Sequence, residues 1–355
     1  MSRPTVTALI DTYNHERFIA DAVISALNQD FQRSEMEILV VDDGSTDQTP
    51  DIVRKFAPQV RLLRKANGGQ ASAFNVGIPE AAGKFIACLD GDDWWAPSKI
   101  TRALETFQAE PELGFVGHGD ILVHPDGRQS VHVLRESCRF RANTLEGAHQ
   151  LRRRKPFLGT CRMTARTEVL RQVLPVPEVL TIQADEYVFT LAAALCEVRI
   201  LPEPLFYYRL HESNAFQTST GNPEALRRKY RTLLELAQLL PKGLRAHGVK
   251  EEAIRAIAEA VQVEGDQLRL MVDGGRRWET IRTEIGIMRA LYGDASFAQH
   301  LFSLARLLPA VAMQPQNYYR WRHRMARAPF YQGLRRKIFP FPVPPHIRQE
   351  ERRVQ

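Results

Sequence analysis

The stretch Phe85-Ile86-Ala87-Cys88-Leu89-Asp90-Gly91-Asp92-Asp93-Trp94 joins five apolar residues to a run of carboxylates. The apolar part has the length of a buried strand, and the acidic part follows it directly. Carboxylates packed together repel one another, and a hard divalent cation such as Mg²⁺ or Mn²⁺ would stabilise their ionised forms. The alternative is a solvated turn whose aspartates cap the helix predicted to begin near Pro97. The large aromatics Trp94 and Trp95 are unusual in such a turn, which favours a site.

Three further apolar runs of strand length precede this stretch, at 6–10, 37–41 and 60–63, and helical periodicity separates them. Strands that alternate with helices predict right-handed crossovers and a mainly parallel sheet flanked by helices. Ligands bind such sheets beyond the carboxyl ends of the strands. Asp11 and the pair Asp42-Asp43 follow two of these strands, so we expect three polar turns to meet at one edge.

The rest of the chain divides by composition. We expect a catalytic domain over residues 1–220, in which 198–201 and 206–210 are two further strands, and a helical, basic region over 221–355. The helical pattern of that region is interrupted at 241–243 and at 274–275. Between residues 301 and 355 eleven arginines and lysines face only two glutamates, Glu350 and Glu351. This tail, with aromatics among its arginines, predicts either contact with an anionic membrane surface or a helical subdomain that packs or forms oligomers.

Composition narrows the setting of the protein. The 355 residues carry a net charge of +7, with 44% hydrophobic and 25% charged residues, as in a globular protein. The four cysteines stand far apart and form no zinc spacing, which favours a reducing compartment. No stretch has the length of a membrane span or the pattern of a signal peptide. The sequence therefore predicts a cytoplasmic protein, or one peripheral to the inner face of a membrane, with no specific nucleic acid partner.

Several short motifs, each weak alone, occur in an order and spacing that resemble glycosyltransferase family 2, whose members have the GT-A fold. The resemblance covers about residues 5–215. One departure is Asp11, where the family usually has a proline. The motifs that carry the resemblance are 11–14 (Asp-Thr-Tyr-Asn), 40–47 (Val-Val-Asp-Asp-Gly-Ser-Thr-Asp), 67–73 (Asn-Gly-Gly-Gln-Ala-Ser-Ala), 75–78 (Asn-Val-Gly-Ile), 83–86 (Gly-Lys-Phe-Ile) and 89–93 (Leu-Asp-Gly-Asp-Asp).

The resemblance implies an inverting transfer of a sugar from a nucleotide-diphosphate sugar, most often a UDP-sugar, to an acceptor hydroxyl in polysaccharide, glycolipid or glycoprotein assembly. It implies a nucleotide pocket, a sugar contact and a metal site for Mn²⁺ or Mg²⁺. The residues implied are Thr12 and Tyr13 lining the pocket, Asp43 at the base with Asp42 supporting it, Gly69 and Gln70 at its border, Asp90 at the ribose or sugar, and Asp92 with Asp93 at the metal.

An inverting displacement needs one general base to take the proton of the acceptor hydroxyl. Asp185-Glu186 matches the late acidic position of the family, although the usual order there is Glu-Asp. Asp185 is the predicted base and Glu186 the alternative, against a purely structural role in a first helical turn. His211 could complete the metal shell and Arg209 could neutralise phosphate charge; a structural role for this histidine stays open.

Two other protein classes compete with this interpretation. A nucleotidyltransferase would have an early glycine-rich loop, whereas the first loop here is Asp-Thr-Tyr-Asn-His-Glu, without glycine. A catalytically inactive GT-A-like protein used for binding or membrane recruitment is the remaining alternative. The intact carboxylates at 90–93 and Asp185 argue against it.

Overall fold

The computed structural model describes residues 3–212, 214, 222–292, 304–305 and 307–328. Its central feature is a mixed sheet of ten strands with helices packed against it. The strands are β1 (Val6–Thr12), β2 (Met36–Asp42), β3 (Arg61–Arg64), β4 (Phe85–Asp90), β5 (Trp94–Trp95), β6 (Leu113–Val123), β7 (Gln129–His132), β8 (Cys138–Phe140), β9 (Thr164–Arg166) and β10 (Glu197–Arg209).

The strand order is β3-β2-β1-β4-β9-β6-β10-β5, with β7 paired to β6 and β8 to β10. Strands β3, β2, β1 and β4 run parallel to one another, as do β6 and β10, whereas β5, β7, β8 and β9 are antiparallel to their neighbours. The parallel half places the ends of β1, β2 and β4 side by side. This half is the scaffold of the polar turns expected from the sequence.

Helices connect the strands of this half. Strands β1, β2 and β4 are apolar along most of their length because both of their faces are covered, as is typical of parallel strands. The helices before residue 196 are α1 (Ile19–Leu27), α2 (Thr49–Arg54), α3 (Gln70–Glu80), α4 (Lys99–Ala109), α5 (Leu145–Arg154), α6 (Thr167–Gln172) and α7 (Ala184–Leu195), and all of them except α5 belong to the compact unit of the sheet. The predicted fold class, a Rossmann-like α/β sheet with a helical C-terminal region, is confirmed.

The early strands match their predicted positions to within one or two residues. The prediction of separate strands at 198–201 and 206–210 was wrong in one respect, because β10 runs through both without a break. Pairing with β6 holds this strand together across register shifts near Ile200 and Pro204. The register shifts lie inside one continuous strand, so no turn separates the two predicted segments.

The described residues cluster into two compact units. One comprises residues 3–142 with 154–214, and the other comprises residues 143–153 with the helical part from residue 222 on. The second unit contains α8 (Pro223–Ala246), α9 (Glu251–Val272), α10 (Arg277–Tyr292), α11 (Leu308–Ala312) and α12 (Pro315–Arg327). No helix among the described residues is long and apolar enough to cross a membrane.

The interruption predicted at 241–243 was wrong, because α8 continues through Pro241. Proline removes one helical hydrogen bond, but Leu233, Leu240 and Leu244 are each fully buried along this helix. Their burial outweighs the local cost. The interruption at 274–275 is confirmed, since α9 ends at Val272 and α10 begins at Arg277.

Seven of the eleven basic residues in the predicted C-terminal tail lie outside the described residues: Arg306, Arg335, Arg336, Lys337, Arg348, Arg352 and Arg353. The other four lie in α12, where Arg322 forms an ion pair with the buried Glu284 of α10. At least one arginine of this region therefore has a structural partner.

A lysine lies in the middle of the sheet unit. Lys99 is completely buried, with its Nζ 4.0 Å from the centre of the Trp95 ring and 3.4 Å from the carbonyl oxygen of Met163. Burial lowers the pKa of Lys99 from an ordinary 10.5 to about 7. The folded state therefore holds this proton less tightly than the unfolded chain does, and the lysine destabilises the fold at neutral pH.

We expect Lys99→Met to stabilise the protein at pH 6–7 by about 3 kcal/mol, after allowing for the lost ring contact. The advantage should shrink as pH rises from about 7 toward 10, because the unfolded chain then loses the proton too. Urea denaturation across this range measures it. Lys84→Met, which replaces an exposed lysine, should show no such trend, and an equal advantage at every pH would contradict the explanation.

Candidate functional site

The ends of β1, β2 and β4 bring the polar turns together. Asp11 of β1 lies opposite Asp90 of β4, and Thr12 lies opposite Asp42 of β2. The backbone amide of Gly91 donates to the Asp11 carbonyl at 2.9 Å, which extends this pairing into the acidic turn. One edge of the sheet therefore gathers four carboxylates, those of Asp11, Asp42, Asp43 and Asp90.

Asp42 and Asp43 shape the loops around them. The carboxylate of Asp42 is fully buried and accepts hydrogen bonds from the Ser45 amide and from Arg64 Nε, both at 3.0 Å. The carboxylate of Asp43 accepts from the amides of Gly68 and Gly69 at 3.0 and 2.7 Å. Asp42 thus supports its own turn, and Asp43 fixes the loop that leads into α3.

The same loop reaches the start of α7. Gly69 has a φ of +83°, and a Cβ there would lie 2.5 Å from the Cα of Thr181, so a larger residue would not fit. Gln70 Oε1 accepts from the amides of Ala184 and Asp185 at 2.9 and 3.3 Å. Gln70 therefore satisfies two of the amides that a helix start leaves without partners.

Asp185 and Glu186 differ sharply in their surroundings. Glu186 is 2% exposed; Lys155 Nζ lies 2.6 Å from its Oε1, and Gln183 Nε2 donates to its Oε2. Asp185 is partly exposed, and its Oδ2 accepts from the Thr160 amide at 3.2 Å. Burial raises the pKa of Asp185. Of the two residues, Asp185 is therefore the one that is partly exposed, whereas Glu186 is enclosed by partners.

Asp92 faces two imidazoles. His211 Nε2 lies 3.0 Å from Asp92 Oδ2, and His15 Nε2 lies 3.9 Å from the same oxygen. The ring of His211 packs against Phe18 at a centroid distance of 4.5 Å. Burial opposes the ionisation of Asp92, but the hydrogen bond from His211 and the charge of His15 keep the pKa of Asp92 below its ordinary value. Asp92 is therefore an ionised carboxylate beside nitrogen donors.

Asp93 points away from solvent. It is fully buried, and its carboxylate accepts from the Arg209 amide at 2.8 Å and lies 3.2 Å from Cys161 Sγ. Cys161 Sγ also lies 3.2 Å from Asp90 Oδ2. Ligand atoms of Asp90, Asp93 and Cys161 lie within 4.8 Å of one another, so this group also has the spacing to hold an ion. Burial raises the pKa of the Cys161 thiol well above its ordinary value, which makes a thiolate ligand costly there.

The acidic turn does not cap the following helix. Helix α4 begins after Ser98 without a side-chain hydrogen bond at its N-cap, and Asp92 and Asp93 bond elsewhere. Trp95 and Phe157 are buried in the core, whereas Trp94 stacks on Tyr207 at 5.1 Å. The alternative of a solvated capping turn is therefore not what this stretch forms.

Arg209 spans the rim of the site. Its Nε donates to the Asp92 carbonyl at 3.1 Å, and its guanidinium pairs with Asp21 at 2.6 Å. The same guanidinium lies 4.5 Å from the centre of the Trp94 ring. Arg209 is held next to Asp92 in this arrangement. Thr12 is 3% exposed and Tyr13 is 43% exposed, so of these two residues Tyr13 presents the larger surface to a ligand.

Sequence reasoning missed two residues here, His15 and Cys161, and it placed Asp11 at the edge without giving it a role. The carboxyl of Asp11 shares the site with Asp90, and its Oδ1 is buried without a hydrogen-bond partner among the described residues. Burial and the charge of Asp90 raise the pKa of Asp11, and burial and Asp92 raise that of Asp90 to about 7. His15 and Cys161 reach the site from distant parts of the chain. The register of β1 against β4 explains the position of Asp11, which lies directly opposite Asp90. No sequence motif identifies His15 or Cys161.

Comparisons with known proteins find one matching family model and several similar proteins. A family model described as glycosyl transferase family 2 matches residues 7–174. An uncharacterized glycosyltransferase from Nostoc sp. is 33% identical over 216 residues, which are 59% of this chain and 66% of that protein. The chondroitin synthase of Pasteurella multocida is 37% identical over 127 residues, 35% of this chain. The matched region spans just under two thirds of the first relative and 13% of the synthase.

Solved structures share the fold. The S. aureus TarS 1–349 structure in complex with UDP-GlcNAc aligns with a TM-score of 0.51 and 22% identity, covering 89% of this chain and 92% of that one. The mannosyltransferase PcManGT from Pyrobaculum calidifontis, in complex with GDP-Man and Mn²⁺, aligns with a TM-score of 0.52 and 19% identity, covering 94% and 84%. At these identities the likeness is one of fold.

The pairing of Glu186 with Lys155 predicts a clear effect on stability. We expect Lys155→Met to lower the free energy of unfolding by about 3 kcal/mol, because it leaves a buried carboxylate without its cation. The double variant Lys155→Met with Glu186→Gln should recover part of the loss, since the charge is then gone. Thermal and urea denaturation of the three proteins measure this, and no recovery would show that Lys155 acts through other contacts.

Proposed function

The chain belongs to glycosyltransferase family 2 through residues 7–174, and from this premise we propose that it is an inverting glycosyltransferase. It moves a sugar from a nucleotide-diphosphate sugar to an acceptor hydroxyl. The observation that carries the proposal is the edge where Asp90 and Asp92 end β4 and begin its turn, with Asp185 in the first turn of α7. The negative charge of Asp185 contributes to the raised pKa of Asp90, in keeping with one shared site.

The nucleotide occupies the ends of β1 and β2. Asp43 binds the base, Asp42 supports it, and Thr12 and Tyr13 line the pocket that Gly69 and Gln70 border. Asp90 contacts the ribose or the donor sugar. The complexes of TarS with UDP-GlcNAc and of PcManGT with GDP-Man support a nucleotide sugar as donor, and a UDP-sugar is our first choice.

Asp92 and His211 hold a divalent cation, Mn²⁺ or Mg²⁺. The donor set fits such an ion, because an ionised carboxylate oxygen and an imidazole nitrogen lie 3.0 Å apart at the mouth of the acidic turn. When bound, the cation neutralises the charge that develops on the leaving diphosphate. Arg209, held beside the Asp92 carbonyl, adds positive charge on the same side. Asp93 lies behind Asp92 and is proposed as a further ligand or, through the Arg209 amide, as the support of this arrangement.

Asp185 is the general base. Its carboxylate takes the proton of the acceptor hydroxyl as that oxygen attacks the anomeric carbon, while the bond to the diphosphate breaks. The raised pKa of Asp185 makes it a stronger base than an ordinary aspartate, provided that the pH exceeds this pKa. Gln70 and the Thr160 amide hold the start of α7 and the carboxylate in place. Glu186, enclosed by Lys155 and Gln183, is a poorer candidate.

The chondroitin synthase and hyaluronan synthase of Pasteurella multocida among the relatives support a role in polysaccharide assembly. We propose a catalytic domain over 1–220 and a recruiting or oligomerising region over 221–355, in a cytoplasmic protein or one peripheral to a membrane. A carbohydrate, lipid-linked or protein acceptor fits this setting. The alternative, an inactive binding protein, would not explain a partly exposed carboxylate with a raised pKa at Asp185.

The donor class can be tested by thermal shift with UDP, GDP and dTDP, each with Mn²⁺ or with EDTA. We expect one diphosphate to raise the melting temperature by several degrees with Mn²⁺ and far less with EDTA, because binding of ligand to the folded state stabilises it. Asp92→Ala should remove the Mn²⁺-dependent part. A shift that persists unchanged in Asp92→Ala would contradict this metal site.

The base can be tested by the release of nucleoside diphosphate from the donor so identified. We expect Asp185→Asn to lower the turnover rate by about 100-fold or more while donor affinity is unchanged. Wild-type turnover should fall as the pH drops through the raised pKa of Asp185, because the protonated carboxyl cannot accept a proton. Glu186→Gln is the matched control, and it should retain the acidic limb of the pH profile; loss of that limb in the control alone would assign the base to Glu186.

A further inference from the structure

The turn after β1 is held rigidly against the loop after β2. The Asn14 amide donates to Ser45 Oγ at 2.8 Å, and the His15 amide donates to Thr49 Oγ1 at 2.9 Å. Asn14 Oδ1 in turn accepts from the Thr46 amide at 2.8 Å, and Asn14 adopts a left-handed φ of 55°. These bonds over-determine the turn, so the position of the His15 side chain is set by the backbone around it.

Both ring nitrogens of His15 face polar atoms. Its Nδ1 lies 3.2 Å from Thr12 Oγ1, and its Nε2 faces Asp92 Oδ2 at 3.9 Å. Histidines that bind metals commonly use the second ring nitrogen in a hydrogen bond that fixes the tautomer and the ring orientation. A bond from Nδ1–H to Thr12 would leave the lone pair of Nε2 directed toward Asp92.

Gly91 makes room for this histidine. A Cβ at residue 91 would lie 2.5 Å from Thr12 Oγ1 and 2.9 Å from His15 Nδ1. Any residue larger than glycine at position 91 would displace the imidazole of His15 from Asp92. The glycine of the turn is therefore needed for the approach of His15, independently of the carboxylates beside it.

We propose that His15 is a third protein ligand, with Asp92 and His211, of the divalent cation, and that this donor set makes the site prefer Mn²⁺ to Mg²⁺. The inference rests on the metal site proposed above. Two atoms bound to one ion at about 2.1 Å lie about 3 Å apart at right angles and at most about 4.2 Å apart. The distances from Asp92 Oδ2 to His211 Nε2 and to His15 Nε2, 3.0 and 3.9 Å, fall within this span.

The spacing argues against a direct hydrogen bond between His15 and Asp92. At 3.9 Å the His15 nitrogen is too far from the Asp92 oxygen for a hydrogen bond. Asn214 Nδ2 also approaches Asp92 Oδ2, at 3.5 Å, so polar groups from the turn after β1 and from the segment after β10 converge on this oxygen of the turn after β4. A cation bound at this oxygen would have both imidazoles within reach.

The identity of the donors decides the preference. Mg²⁺ takes oxygen ligands and keeps several waters, whereas imidazole suits the transition metals, and Mn²⁺ accepts both nitrogen and oxygen. A site with one carboxylate and one imidazole would serve either ion. A second imidazole shifts the balance toward Mn²⁺.

Mn²⁺ alone is the probe for the test, with the full chain. Electron paramagnetic resonance measures binding through loss of the free-ion signal, and electron spin-echo modulation reports coupled nitrogens. We expect two coupled imidazoles in the wild type and one in His15→Ala, with Mn²⁺ affinity at least about tenfold lower in the variant. His247→Ala, at the end of α8, is the matched control and should change neither readout.

A second variant separates ligation from a structural role of the side chain. His15→Glu replaces nitrogen by oxygen at similar reach, so it should keep Mn²⁺ binding and lower the ratio of Mn²⁺ to Mg²⁺ affinity. If His15→Ala binds Mn²⁺ with wild-type affinity and shows the same number of coupled nitrogens as the wild type, His15 is only a structural partner of Thr12 and the inference is overturned. Asp92→Asn tests the metal site itself, since wild-type Mn²⁺ affinity in that variant would overturn the site and not merely the role of His15.

Discussion

Mutual repulsion among buried carboxylates is the main physical constraint on this edge of the sheet. Asp11, Asp90, Asp92 and Asp185 are electrostatically coupled, and burial raises the pKa of Asp11, Asp90 and Asp185. An assembly of acids in a low dielectric is costly unless protons, cations or hydrogen-bond donors compensate it. The imidazoles of His15 and His211 provide part of that compensation at Asp92, the one member whose pKa is lowered. The arrangement is therefore complementary to positive charge at the place where Asp92 is exposed to a ligand.

Hydrogen bonding sorts the acidic residues into two groups. Asp42, Asp43, Asp93 and Glu186 have their oxygens engaged by amides, cations or side chains of the chain itself. These four build the loops and the start of α7. Asp92 and Asp185 are instead partly exposed, and Asp92 meets imidazoles rather than backbone amides. In the proposed reaction Asp92 acts at the leaving group and Asp185 at the attacking hydroxyl.

Sequence could predict the strands, their order along the chain and the polar turns, because alternating apolar runs and ordered motifs are local signals. It could also identify Asp185 beside Glu186, although the choice between them depends on Lys155, which lies thirty-one residues earlier in the chain. His15 and Cys161 could not be found in this way, since only the fold brings them to Asp92 and to Asp90. The continuation of α8 through Pro241 was not predicted, because Pro241 is a strong local signal for a helix end. Burial of the leucines along α8 overrides that signal.

The loop before α3 and the start of α7 are joined through single side chains. Asp43 fixes the amides of Gly68 and Gly69, the next residue Gln70 accepts from the amide of Asp185, and the Gln70 amide donates to the Thr181 carbonyl at 3.1 Å. In the proposed complex the nucleotide base approaches carboxylate oxygens of Asp43 that also hold Gly68 and Gly69. At Gly69 the absence of a Cβ permits close contact with Thr181. The proposed nucleotide site and the proposed base Asp185 are therefore linked by direct contacts through Gly69 and Gln70.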